Sequence, residues 1–347
     1  MRVETEPRPR RAARALVLLL ATLLALLSYG AAMVRGIPSA AQSAEPANLL
    51  EVPISTASEW QGEPAIAYNP TADEYLIVWQ DRRAVTNWDI RARRVSGQGE
   101  VLGEDIVVCS VTYDQMYPQV AYNSTNNEYL VVWHHRQPRN YAIRAQRLAA
   151  NGDLVGGRFS VPATSGSQWT PDVAYNSTSN EYLVAWQSTT NSNILAQRVS
   201  NAGVLVGSVI AVADSLYAQW GPVRVAYGGA SNEYLVTWDQ IVAQRSGVYG
   251  RRVSAQGVTQ GDRFPICATT GNQNLADLAY DSTRNQFLVV WSDSRSTTTS
   301  IDVYGQLVSA SGQLVGGNIP VCTDGSWQYA GAVSYDLQAR DFLVVWA

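Results

Sequence analysis

The fold this sequence predicts is all-β: a six-bladed β-propeller of four-stranded antiparallel blades. Three observations carry that expectation. The chain repeats itself, placing Trp79, Trp133, Trp186, Trp238, Trp291 and Trp346 at intervals of 54, 53, 52, 53 and 55 residues, a period that suits propeller blades. Each unit reads as four short apolar runs joined by turn residues, which is the pattern of a meander of hairpins. And a small residue recurs before a Tyr in every unit, at Ala67, Ala121, Ala174, Ala226, Ala279 and Ser334, as an innermost strand crowded near a wheel axis requires.

Taken in order, the first strand of a unit is the small-apolar run ending in Tyr, such as Val120, Ala121 and Tyr122. An Asn/Ser/Thr turn leads to the second strand, such as Glu128 to Trp133, which is apolar on both faces and therefore must be covered on both sides. The third strand (residues 90–95 or 194–199) precedes a turn holding Gly99, Gly152, Gly203, Gly257 or Gly312, and a fourth strand such as Phe159, Ser160 and Val161 follows. Units then span about 64–117, 118–170, 171–221, 222–276 and 277–329, with a partial sixth at 330–347. Residues 51–55 read as an isolated fourth strand that would close the ring with this incomplete blade. The missing third strand there implies either an open sheet edge or the front part of a longer protein.

Residues 1–44 form a separate targeting segment. Arg2, Arg8, Arg10, Arg11 and Arg14 precede an apolar run from residue 15 to 27, and small residues follow at Ser39, Ala40 and Ala41, the order of a secretory signal. Residues 15–34 are also long enough to remain as a membrane anchor. Both readings place residues 45–347 outside the cytoplasm, secreted or at the cell surface, with membrane contact only through an uncleaved N-terminal segment.

Formal net charge is -4. Without residues 1–44, which carry six Arg and two Glu, 19 Arg face 27 acidic residues and no Lys is present, giving -8. So acidic a surface argues against nucleic acid as a partner. Cys109, Cys267 and Cys322 share one repeat position, where neighbouring blades hold them too far apart to bridge, so three unpaired, inert thiols are expected.

The run Ala121-Tyr122-Asn123-Ser124-Thr125-Asn126-Asn127-Glu128-Tyr129-Leu130-Val131-Val132-Trp133, followed by Ala145-Gln146-Arg147 and a Gly turn, resembles the repeats of bacterial secreted β-propeller proteins, most of them uncharacterised. The resemblance covers residues 50–347 and implies the fold, not an activity. No sialidase-type Asp-box, WD40-type Trp-Asp ending or kelch double Gly is present.

Within the repeat, Glu74, Glu128, Glu181 and Glu233 open the second strand and Arg94, Arg147, Arg198 and Arg252 lie on the third, while the fifth unit changes both together, to Gln286 and Leu307. This covariation reads as a scaffold pair of cross-strand charges. Asn123 and Asn176 match the glycosylation sequon, but hairpin-turn chemistry explains them better.

Function is expected where the units differ, in the loops that enter the first strand and those that leave the second. The first set is aromatic: Trp60, Tyr113, Tyr117, Trp169, Tyr217, Trp220, Trp327 and Tyr329, several beside an amide such as Gln168 or Gln328. A ring beside a hydrogen-bonding amide can stack on a sugar; the plainer alternative is that these rings fill gaps between blades. The second set holds Asp81, Arg82, Arg83, Trp88, His134, His135, Arg136, Asp239, Asp293 and Arg295. The two histidines read as solvated loop residues, too few for a catalytic zinc, and no cofactor fingerprint is found.

The candidate ligand-binding residues are accordingly Trp60, Tyr117, Trp169, Trp220, Trp327, Trp88, His134, Arg82 and Arg295, with no catalytic, metal or cofactor residue assigned. The expected function is an extracellular, non-enzymatic binding module that presents an aromatic face to a glycan or a surface protein. One alternative is a propeller glycoside hydrolase acting through two facing carboxylates, for which Asp81, Asp114, Asp239, Asp293 and Asp324 are the candidates. The other is a structural segment of a larger cell-surface protein.

Overall fold

The computed structural model describes residues 32–33, 51–83, 86–161, 166–189, 193–214, 221–296 and 301–347. Among these, every regular element is a β-strand. The targeting segment lies outside them except for the two-residue strand β1 (Ala32–Met33).

Five antiparallel sheets of four strands follow one another along the chain, each in plain sequence order. They are β2–β5 (Gln61–Asn69, Glu74–Asp81, Asp89–Ser96, Val101–Cys109), β6–β9 (Gln115–Asn123, Glu128–Arg136, Tyr141–Ala149, Leu154–Ser160) and β10–β13 (Gln168–Asn176, Glu181–Ser188, Asn193–Ser200, Leu205–Ala213), then β14–β17 (Val223–Gly228, Glu233–Val242, Arg245–Ser254, Thr259–Cys267) and β18–β21 (Gln273–Asp281, Gln286–Asp293, Asp302–Ser309, Leu314–Cys322). A smaller sixth sheet pairs β22 (Ala330–Asp336) with β23 (Asp341–Trp346), and β1 lies on the outer side of β23. The first strands pack in succession, β2 on β6, β6 on β10, β10 on β14, β14 on β18 and β18 on β22. Residues from all six of them line one central channel. This is a β-propeller.

The repeated sequence has a repeated physical cause. Asn123 ends the first strand, and its side-chain oxygen accepts the N–H groups of Thr125 and Asn126, both at 2.9 Å, which closes the turn. Asn127 then takes a φ of 53°, a left-handed conformation that Asn tolerates better than most residues. The Asn123 amide also donates to Asn180 of the next sheet at 2.9 Å, as Asn69 does to Asn127 and Asn176 to Asn232. Asn123 and Asn176 are fully buried, so turn chemistry accounts for both sequons. The tyrosine preceding them works the same seam: the Tyr175 hydroxyl lies 2.7 Å from the Thr125 hydroxyl of the previous sheet and 3.0 Å from the oxygen of its own Asn180, which accepts.

The Glu and Arg of the repeat lie on one face and pair, at N–O distances of 2.7, 3.5, 2.7 and 2.8 Å in sheets one to four. They are diagonal rather than directly opposite, because the register sets Leu76 against Arg94 and Glu74 against Ser96. Each Arg also donates to a carbonyl in the third-to-fourth-strand turn of the following sheet, Arg94 to Asn151 and Arg147 to Asn201. In those turns glycine is required: Gly203 has a φ of 82°, and a Cβ there would lie 3.0 Å from the Phe159 ring.

One expectation needs correction. Residues 51–55 do not form a strand, because a strand needs a hydrogen-bonded neighbour and none stands beside them among the described residues. Ile54 is nevertheless buried against Tyr75, Ile77 and Trp79 of sheet one, as Val108 at the end of β5 is buried in a cluster with Tyr129 and Trp133 of sheet two. All three cysteines are free: Cys109 and Cys267 are buried, Cys322 half-buried.

Candidate active site

The channel is a cavity of about 260 Å³. Its wall contains one equivalent position from each first strand, two residues before the repeated small residue: Ala65, Gln119, Asp172, Arg224, Asp277 and Ala332. Just before this position the pairing of first and second strand slips in sheets one, two, three, five and six, for example between Trp169 and Asp172 and between Leu275 and Asp277. Glu63, Tyr117 and Thr170 take positive φ values of 50°, 54° and 43° at these bulges. Such bulges re-aim side chains, and here they separate an aromatic mouth from a charged waist.

The waist holds more acid than base. Asp172 is only 9% exposed; its carboxylate accepts the N–H groups of Val173 and of Val225 on the next first strand, both at 2.8 Å. Asp277 repeats this with Val333 at 3.0 Å. Arg224 stands between them in the ring, its Nε 3.6 Å from Asp277 and 2.9 Å from the carbonyl of Ala276. Burial pushes the Asp172 carboxyl up to about 6, with the charge of Asp277 adding and Arg224 and the two backbone N–H groups opposing. Burial likewise raises Asp277 against the pull of Arg224. Asp172 and Asp277 thus share the single guanidinium of the channel wall. Leu343 and Val345 of sheet six add apolar lining.

At the mouth of sheets two and three, four rings pack together. His134 lies 4.8 Å from Tyr117, 5.2 Å from Tyr141 and 5.3 Å from Trp169, and Tyr141 lies 4.2 Å from Trp169. Burial, and after it the charge of Glu63, raises the Tyr117 hydroxyl. His134 is not the solvated loop residue expected from sequence. Strand β7 continues to Arg136, which places His134 within the sheet opposite Met116, fully buried, and burial holds it down to about 4, neutral at ordinary pH.

The remaining predicted residues scatter. Trp60 and Trp327 are 72% and 63% exposed, so they do not fill gaps between blades. Trp88 is half-buried with the exposed Arg82 guanidinium 5.9 Å from its ring. Trp220 lies outside the described residues. Arg295 serves the scaffold rather than a ligand: it pairs with Asp293 at 2.5 Å, stacks 4.2 Å from Tyr304 and donates to Asn318 and Cys267. Asp293 in turn accepts the Trp291 indole N–H at 2.7 Å, and Asp81 binds Trp79 and Arg83 in the same way.

None of the carboxylates nominated from sequence lines the channel. Asp81 and Asp293 are bound as above, and Asp114 pairs with Arg136 at 3.1 Å. Asp239 is buried against the Leu275 N–H at 2.7 Å, and Cys322 lies 3.6 Å from Asp324. The residues that do converge, Asp172, Arg224 and Asp277, had a legible signal: one repeat position that reads Ala, Gln, Asp, Arg, Asp, Ala beside an almost invariant neighbour.

Fold and site together define a β-propeller with a carboxylate-bearing central channel. No family model matches the chain, and no curated protein matches it. Solved structures do share its fold. An exo-β-1,3-galactanase from Phanerochaete chrysosporium, bound to galactose, aligns with a TM-score of 0.51 at 12% identity, over 81% of this chain and 66% of its own. A protein from Bifidobacterium bifidum s17, described as a candidate exo-β-1,3-galactanase, aligns with a TM-score of 0.51 at 9% identity, over 76% of this chain and 92% of its own. The chain thus covers just under two thirds of the Phanerochaete enzyme. The expectation of a non-enzymatic binding module is corrected by these findings: the propellers of like shape are glycoside-cleaving enzymes.

Proposed function

We propose that the protein is a glycoside hydrolase acting through the carboxyl groups of its central channel. The observation that carries this reading is the placement of Asp172 and Asp277 at the same repeat position, two sheets apart with Arg224 on the sheet between, in one cavity and both with raised carboxyl pKa values. Glycosidic cleavage needs one carboxyl group that keeps its proton and a second that is ionised. Asp172, buried and pushed up to about 6, supplies the proton to the leaving oxygen. Asp277, 3.6 Å from the Arg224 guanidinium, takes the ionised role and either activates water or attacks the anomeric carbon. Tyr117 and Trp169 give the sugar flat surfaces at the mouth.

In the same proposal the wheel has six blades, the sixth made of β22, β23 and the chain around Ile54, and the protein works outside the cytoplasm. Ser55 supports this closure, since Arg83 beside sheet one reaches it at 3.4 Å as Arg295 beside sheet five reaches Cys267 of sheet four.

The test is hydrolysis of aryl glycosides and of β-1,3-galactan and arabinan oligosaccharides by the full-length protein. Activity should fall at least about 1,000-fold in both Asp172→Asn and Asp277→Asn. For the wild type, kcat/KM should decline as pH rises through about 6, where Asp172 loses its proton. Undiminished turnover in both variants would remove these residues from the chemistry.

A further inference from the structure

A second cavity lies away from the channel, between sheets one and two. It measures about 300 Å³ and is lined by Cys109, Val111, Trp133, His135, Arg144 and Arg158. Three of these six can carry positive charge and none carries a carboxylate. Among the described residues, neither Arg144 nor Arg158 is within ion-pair distance of an acid. Arg144 donates to Ser160, and Arg158 donates to the Cys109 sulfur at 2.9 Å. The nearby carboxylates are engaged elsewhere: Asp114 with Arg136, and Asp89, whose field reaches Cys109, with Asn87 at 2.8 Å.

Comparison with the equivalent place in sheets one and five shows what is missing. In sheet one Asp81 follows Trp79 by two residues and holds Arg83, which reaches on to Asp105 of the fourth strand at 2.7 Å; Arg91, opposite Trp79, lies 3.8 Å from the same Asp81. In sheet five Asp293 holds Arg295, which reaches Asn318. Each site is filled by a carboxylate and a guanidinium that complete one another. In sheet two the Asp has become His135, the Arg has become Gln137, and the fourth-strand acceptor has become Arg158, while Arg144 keeps the place of Arg91. The substitutions remove both carboxylates and leave two guanidinium groups, Arg144 and Arg158, around the space.

We propose that this cavity binds a small oxyanion, a carboxylate or a tetrahedral sulfate or phosphate group, held by Arg144 and Arg158 with His135 as a further donor. The anion takes the part that Asp81 plays in sheet one. Guanidinium groups suit it because they present paired N–H donors to two oxygens at once. The cavity volume admits a group of this size, alone or at the end of a larger molecule. Being separate from the channel, the site does not depend on the hydrolase reading.

Calorimetric titration of the full-length protein with sulfate, phosphate and glucuronate, at constant ionic strength balanced with chloride, tests this directly. The expected result is saturable binding of at least one anion, weakened about tenfold or more in Arg158→Gln, as loss of a charge-assisted pair implies. His135→Asp restores the internal carboxylate of sheet one, so it should abolish anion binding while raising the melting temperature without anion. That variant carries the test even if Arg158→Gln folds poorly. Binding of sulfate or phosphate alone marks a tetrahedral ligand, and binding of glucuronate marks a carboxylated sugar. Absence of saturable binding by all three anions, or equal binding by wild type and His135→Asp, overturns the proposal.

Discussion

Asp239 illustrates how one buried carboxyl couples stability to pH. It follows Trp238 directly, where Gln80, His134, Gln187 and Ser292 stand in other sheets, and its single described hydrogen bond comes from the Leu275 N–H. Burial pushes it up to about 7. The folded protein therefore keeps this proton between about pH 4 and pH 7 while the unfolded chain releases it, so stability falls as pH rises through that window. Asp239→Asn keeps an acceptor for Leu275 and removes the charge. Relative to wild type it should gain on the order of 3 kcal/mol between pH 4 and pH 8, at roughly 1.4 kcal/mol per pKa unit. Urea unfolding at the two pH values measures this, and parallel curves for the two proteins would contradict it. At the same scale the candidate site was legible only as a varying repeat position, not as a wall of the channel. Asp172 and Asp277 each sit in a repeat whose other residues are conventional, and the bulges that turn them into the channel depend on backbone geometry rather than on residue type.

At the scale of the strand and its turns, sequence and structure agree closely, because the forces there are local. Period, alternation and turn residues specify where each strand starts and stops, and the covarying Glu and Arg pair as their joint replacement by Gln286 and Leu307 implies. Where the reading failed, strand pairing decided the outcome: β7 runs on through His134 opposite Met116, while residues 51–55 have no hydrogen-bonded neighbour among the described residues. The same logic ranks the repeat's polar residues. The Glu128–Arg147 pair is partly solvated, and its coupling energy in a double-mutant cycle should stay below about 1 kcal/mol. Asn123 is fully buried, accepts two backbone N–H groups and donates across to the next sheet. Asn123→Ala leaves those donors unpaired and should cost about 2–3 kcal/mol in chemical denaturation. A smaller loss than for Arg147→Gln would show that the buried Asn123 network is the lesser contributor.

For the molecule as a whole the question is how the ring closes. Sheets one to five each end on an apolar residue that packs against, or lies at, the next sheet, as Val108 and Ile266 do, followed by Cys109 or Cys267. The chain before the first sheet carries the same pair of positions as Ile54 and Ser55, and Ile54 is almost fully buried against Tyr75, Ile77 and Trp79. If residues 51–55 are the seam between the last sheet and the first, truncating Ile54 opens a cavity inside a closed ring. If they are a tail lying on a finished surface, the segment detaches at little cost. Ile54→Ala should then destabilise the protein by about 2–5 kcal/mol, the range for deleting a buried aliphatic side chain. Val108→Ala, at an internal seam, supplies the scale. Matching losses in chemical denaturation, with single transitions for both variants, place Ile54 in the cooperative unit; a loss below about 0.5 kcal/mol for Ile54→Ala alone would mean that the wheel closes without it.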